Sequence, residues 1–165
     1  MPFPTHLSVP ATQRFLASGH PELLSRRFGS RAISPYFRLG TADAANLLDG
    51  LVSVDLGQLE RRGVPPGSFL LIKAIQDGRV RYRRRDPREH WKTWDELMAP
   101  VFSGGTGFGD CEDLASGVAA ELSRSGIKAR TYVYQSGPKL YHVVVKTDRW
   151  NLLDPSRDAG MKGNG

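Results

Sequence analysis

The chain has 165 residues, 39% apolar and 24% charged, with a formal net charge of +6. That length suits one domain rather than two, and the composition is too apolar for a disordered chain. No window approaches the roughly 18 consecutive apolar residues of a membrane-spanning helix, and one cysteine excludes an internal disulfide.

Residues 1–40 read as irregular, punctuated by Pro2, Pro4, Pro10, Pro21 and Pro35. The start MPFPTHLSVPATQRF has no charged head followed by an apolar run, so no secretory signal is expected. Pro21 can open a brief helix, PELLSRRF, that Gly29 ends. Thr41 then caps a clearer helix reaching about Arg62, in which Leu47, Leu48, Leu51, Val52 and Leu59 form one apolar stripe. Gly63 and the Pro65-Pro66-Gly67 turn stop it. The run SFLLIKAI fits either a helix or a buried strand.

Residues 79–89, RVRYRRRDPRE, hold six arginines against Asp86 and Glu89. Arg79, Arg81 and Arg83 alternate with Val80 and Tyr82 at a strand's period, so a solvated strand and loop is the expectation. Polyanion binding by Arg79 to Arg88 is the rival, and nucleic acid is not the expected partner, because no stacking platform or recognition motif accompanies the charge. Thr93 and Glu96 have capping-box spacing and start a short helix, TWDELM, that Pro100 should end. The segment SGGTGFGD, residues 103–110, reads as a glycine-rich loop that turns into the next helix. It lacks the Lys-Ser/Thr of a Walker-type phosphate loop.

That helix is expected from Cys111 to Ser125, with Leu114, Val118, Ala119 and Leu122 on one face and Gly126 as its stop. Three strand-like runs follow, Ala129 to Gln135, Leu140 to Thr147 and Trp150 to Leu153. The ending, SRDAGMKGNG, should be a loose tail. The domain reading is an irregular segment 1–40, a catalytic domain 41–155 and a glycine-rich tail 156–165.

The chemistry concentrates at Cys111, in the string GDCEDLA. Unpaired N–H groups and the dipole at a helix start favour a thiolate, whereas Asp110, Glu112 and Asp113 oppose it. Such a thiol calls for a cationic partner. His142 lies 31 residues downstream in the strand YHVVVKT, and Asp154 follows it by 12. A tight turn at Thr147-Asp148-Arg149 would set two antiparallel strands side by side and bring His142 to Asp154. The carboxylate would then fix the imidazole's tautomer, and the imidazole would take the proton of Cys111. Singly each residue has an ordinary explanation: a buried free thiol, a structural histidine, an aspartate in a turn before proline. Their order across a helix start and two strands is what a papain-like core requires. The four histidines, His6, His20, His90 and His142, have no metal-ligand spacing, and no metal or organic cofactor is expected.

GDCEDLASGVAAELSRSGIKARTYVY, followed by YHVVV and LLDPS, resembles the transglutaminase-like cysteine peptidase superfamily. The Gly126-Ile127-Lys128-Ala129-Arg130 strand entry is part of that likeness. The fuller pattern RVRYRR, HWKTWDEL, GDCEDLA, YHVVV and DPSRDAGM is similar to small stand-alone members found among bacteriophage and prophage genes, over roughly residues 79–161. The resemblance implies an α+β, papain-like core with the nucleophile helix packed on a small antiparallel sheet. It implies Cys111, His142 and Asp154 as the catalytic triad, with the backbone N–H of Cys111 serving the oxyanion. Where the family carries an aromatic residue soon after the histidine, this chain has Val143 and Val144. No upstream glutamine marks an oxyanion donor, and Trp91 and Trp94 are expected in the core. Arg157 is expected to pair with the acid cluster Asp110, Glu112 and Asp113.

The first functional reading is therefore acyl transfer through a thioester on Cys111, as peptidase, amidase or transamidase, with a protein or peptide substrate and a cytoplasmic location. The alternative is a bacteriophage structural or tail-assembly protein that keeps the fold with little activity, incorporated into a virion and partnered by particle proteins. Neither reading involves a membrane.

Overall fold

The computed structural model describes residues 41–84, 90–137, 140–150 and 152–163, with side chains from residue 44. The expectations for residues 1–40 and for Arg85 to Glu89 lie outside the described residues.

Helix α1, Thr41–Arg61, forms where the apolar stripe predicts it. Its buried positions are Leu48, Leu51, Val54, Asp55, Gln58 and Leu59, a three- and four-residue step that includes two polar groups. Both cap another helix. Asp55 Oδ1 accepts from Trp94 N at 2.7 Å and Gln58 Oε1 from Asp95 N at 2.9 Å, satisfying two N–H groups that helix α3, Trp94–Phe102, cannot satisfy internally. The Thr93–Glu96 capping box is formed as well. Pro100 does not end α3, which runs two residues further. Proline removes one backbone donor, and burial of Val101 in the core holds the last turn.

The ambiguous run SFLLIKAI is helical, as α2, Leu70–Gln76. Phe69 stands before it at φ 48°, with no side-chain cap of its own. The cap comes from Glu121, whose Oε1 accepts from Leu71 N at 2.7 Å and whose Oε2 accepts from Ile72 N at 3.2 Å. Trp94 Nε1 donates to the same carboxylate at 2.9 Å. A buried acid is tolerable when its lone pairs are filled this way.

Strand β1, Val80–Tyr82, pairs in parallel with β2, Gly107–Gly109. The glycine-rich segment, expected to be all loop, thus contains a strand. The two glycines of the strand answer crowding: a Cβ on Gly107 would stand 2.2 Å from the Leu97 carbonyl oxygen, and one on Gly109 2.7 Å from Leu97 Cδ2.

Helix α4, Cys111–Arg124, is the central element and packs on α1 and on the antiparallel pair β3, Ala129–Gly137, and β4, Leu140–Thr147. Every residue from Asp113 to Leu122 is buried, not one face alone, because Ala115, Ser116, Gly117, Ala119 and Ala120 let neighbours approach from all sides. The run from Trp150 makes only one bridge, Leu153 to Val145, and helix α5, Pro155–Asp158, follows. The segment after Asp154 is not a loose tail: Ser156 and Ala159 are buried, and Ala159 O accepts from Tyr82 N at 2.9 Å. The architecture is α+β, with the Cys111 helix on a small antiparallel sheet as expected.

Candidate functional site

The site is built on the first turn of α4. Asp110 and Asp113 form a reciprocal cap, with Asp113 N 3.5 Å from Asp110 Oδ1 and Asp110 N 3.2 Å from Asp113 Oδ2. Asp113 Oδ1 also accepts from Lys92 N at 2.6 Å, pinning the chain before α3 to the start of α4. The cation beside Asp113 is Lys92, with Nζ 4.0 Å from Oδ2. Arg157, expected there, has its Nε 3.5 Å from Asp154 Oδ2, beside a different carboxylate. Cys111 therefore enters α4 at a firmly held first position.

Strand β4 supplies the other side. Val145 and Leu153 exchange both backbone hydrogen bonds, at 2.9 and 2.8 Å, so Val145 turns its N–H away from β3. Strand alternation turns the Val143 N–H to the same edge, where its dipole favours the ionised form of the Cys111 sulfur. The sulfur thus lies against the residue next to His142. The same bridge carries Asp154 alongside. His142 Nε2 stands 3.1 Å from Asp154 Oδ1 and 3.0 Å from Oδ2. Asp154 also caps α5, accepting from Arg157 N at 3.3 Å, which fixes its carboxylate independently of the histidine.

Against an ionised carboxylate, which only accepts, a neutral ring places its proton on Nε2 and leaves Nδ1 its lone pair. Nδ1 is buried and has no hydrogen-bond partner among the described residues. A buried ring nitrogen poised as an acceptor and left empty is costly in a purely structural histidine. Of the three expected residues the structure brings His142 to Asp154; Cys111 bonds its neighbour Glu112 instead, and His142 Nδ1 makes no hydrogen bond to the sulfur.

The electrostatics differ from a helix start acting alone. Burial pushes the Cys111 thiol far above its ordinary value, and the charge of Glu112, its hydrogen bond and the charge of Asp110 push it the same way. Glu112 Oε2 accepts from Sγ at 3.0 Å. Burial and the neighbouring Asp110 push Glu112 itself up to about 8. The resting sulfur is a neutral thiol held by a carboxyl group.

Two aromatic residues at the site were not legible as such. Tyr82 is pushed up to about 12 by burial and by the fields of Cys111, Asp110 and Glu112, so a phenol that keeps its proton faces the acid cluster. Its alternation in β1 predicts only which face it takes. Tyr134 meets the His142 ring edge to face, with centroids 5.6 Å apart; a strand register, unreadable from spacing, pairs them. Trp94 is in the core, as expected. Trp91 is half-buried, and its Nε1 has no partner among the described residues.

Of the basic run, Arg83 is exposed and lies 4.0 Å over the Phe108 ring, a solvated charge with a cation–π neighbour. A groove of about 620 Å³ lined by Lys128, Arg130, Lys146 and Asp148 lies toward the Ala129–Thr147 end of the hairpin, away from His142. Among the described residues there is no cluster of metal-ligating side chains and no helix long and apolar enough to cross a membrane. No family model, curated protein or solved structure matches the chain.

Proposed function

We propose that the chain is a cysteine-dependent acyl-transfer enzyme of the transglutaminase-like type, with Cys111 as nucleophile, His142 as general base and acid, and Asp154 as the group that orients His142. The observation that carries this reading is a buried histidine whose Nε2 is committed to Asp154 and whose Nδ1 has no partner among the described residues, on the strand whose next amide favours the ionised sulfur of Cys111. The central helix seated on antiparallel strands supports a papain-like core.

Because the resting thiol is neutral, the reaction proceeds by general-base catalysis rather than from a stored thiolate. The thiol proton passes to His142 Nδ1 as sulfur bonds to the carbonyl carbon of a peptide or carboxamide. The oxyanion forms beside the backbone N–H of Cys111, one of the donors left open at a helix start. His142 returns the proton to the departing amine, and a thioester remains. Water, losing a proton to His142, releases the acid and regenerates the thiol. An amine in place of water gives transamidation.

The test is a peptide-library digest followed by intact-mass analysis. Cleavage with an acyl adduct on Cys111, lost in Cys111→Ala, supports the reading. A folded wild-type chain that neither cleaves nor acylates contradicts it.

A further inference from the structure

His142 is 1% exposed and Tyr134 36% exposed, and the two stand directly opposite in the β3–β4 register. A surface ring therefore lies against a buried one. The planes meet at 88° with centroids 5.6 Å apart, the edge-to-face arrangement that aromatic quadrupoles favour. Tyr132 stacks beside Tyr134 at 6.4 Å and 26°, and Lys146 Nζ lies 6.0 Å from the Tyr132 ring centre. Tyr134 is thus held from its own side of the hairpin.

The proton relay needs more than a bond at Nε2. A bond at one nitrogen leaves the imidazole plane free to tilt about that contact, so that the direction of Nδ1 is not set by Asp154 alone. Among the described residues the Nδ1 side offers no hydrogen bond to resist it. A perpendicular aromatic ring does resist it, because tilting sacrifices the edge-to-face contact.

We propose that Tyr134 is a positioning residue, its ring fixing the plane of His142 so that Nε2 stays on Asp154 and Nδ1 is kept available to the Cys111 proton. The inference rests on the acyl-transfer reading and adds to it a residue on a strand that carries no member of the triad. The ring, not the hydroxyl, does the positioning.

The chain's single thiol makes the test direct. The pH–rate profile of iodoacetamide alkylation of Cys111 is measured for wild type, Tyr134→Phe, Tyr134→Leu, Tyr134→Ala and His142→Gln, with circular dichroism confirming the fold. Phe should keep the wild-type profile. Leu and Ala should lose about two- to tenfold of the His142-dependent rate, the size of an aromatic pair's contribution. A folded Leu or Ala variant with the wild-type profile overturns the proposal, as does a Phe variant as impaired as Leu. Should Ala fail to fold, the Phe–Leu comparison still decides, since Leu supplies apolar cover without a ring. Should wild type and His142→Gln coincide, the acyl-transfer reading falls, and this proposal with it.

Discussion

His142 Nε2 faces both oxygens of Asp154, at 3.1 and 3.0 Å, and this one contact decides which ring nitrogen can receive a proton. Replacing Asp154 by Asn keeps a cap for Arg157 N but offers Nε2 an amide N–H, which favours the other tautomer and fills Nδ1 with a proton. Turnover should fall on the order of a hundredfold or more, the scale of lost general-base catalysis. The melting temperature should change little. Kinetics and thermal unfolding on the same sample check both.

Glu112→Gln acts in the opposite direction. The carboxyl group accepts the thiol's hydrogen bond and, with Asp110, disfavours the thiolate. Removing its charge should raise the alkylation rate of Cys111 above pH 8, where this carboxyl has ionised, by about tenfold for each unit the thiol falls. Iodoacetamide kinetics read this directly; an unchanged or slower rate would show that Glu112 does not restrain the sulfur.

Glu112 also sets a stability trend. Its folded value, pushed up to about 8 from 4.5, means that between those values the folded chain holds a proton the unfolded chain has released. Stability contributed by this group is therefore present at low pH and declines as pH rises toward 8, by at most about 1.4 kcal/mol per unit. Chemical denaturation from pH 5 to 8 should give a shallower decline in Glu112→Gln than in wild type.

Gly107→Ala tests the crowded strand beneath the site. The added Cβ would stand 2.2 Å from the Leu97 carbonyl oxygen and 3.1 Å from Val80 Cγ2, so β2 must separate from α3. A loss of about 1–3 kcal/mol is expected, as for other overpacked positions, measured by denaturant unfolding. Gly104→Ala strains only the backbone, at φ 80° with open space around it, and should cost less.

Much of the helical frame was legible because its signals are local: the stripe of α1, the Thr93–Glu96 box, the start of α4 at Cys111. The α2 run was undecidable by period, since its cap comes from Glu121, 50 residues away from Leu71. Pro100 misled for a similar reason, core burial of Val101 outweighing one lost donor. The strand Gly107–Gly109 was hidden because glycine signals turns, while here it answers contact with Leu97. At the site, order and spacing brought Cys111, His142 and Asp154 to notice. The Tyr134 contact depends on hairpin register, and the restraint by Glu112 on how deeply the first turn of α4 is buried. Neither is written in spacing. Arg157 stands beside Asp154, three residues before it on the same turn, a neighbour that the acid cluster's spacing does not point to.

The most direct measurement is the pH–rate profile of Cys111 alkylation in wild type against His142→Gln. If sulfur and imidazole act as one unit, wild type shows a pH-dependent limb that the Gln variant lacks. Superimposable profiles, with both proteins folded, would contradict it and leave the sulfur an ordinary buried thiol.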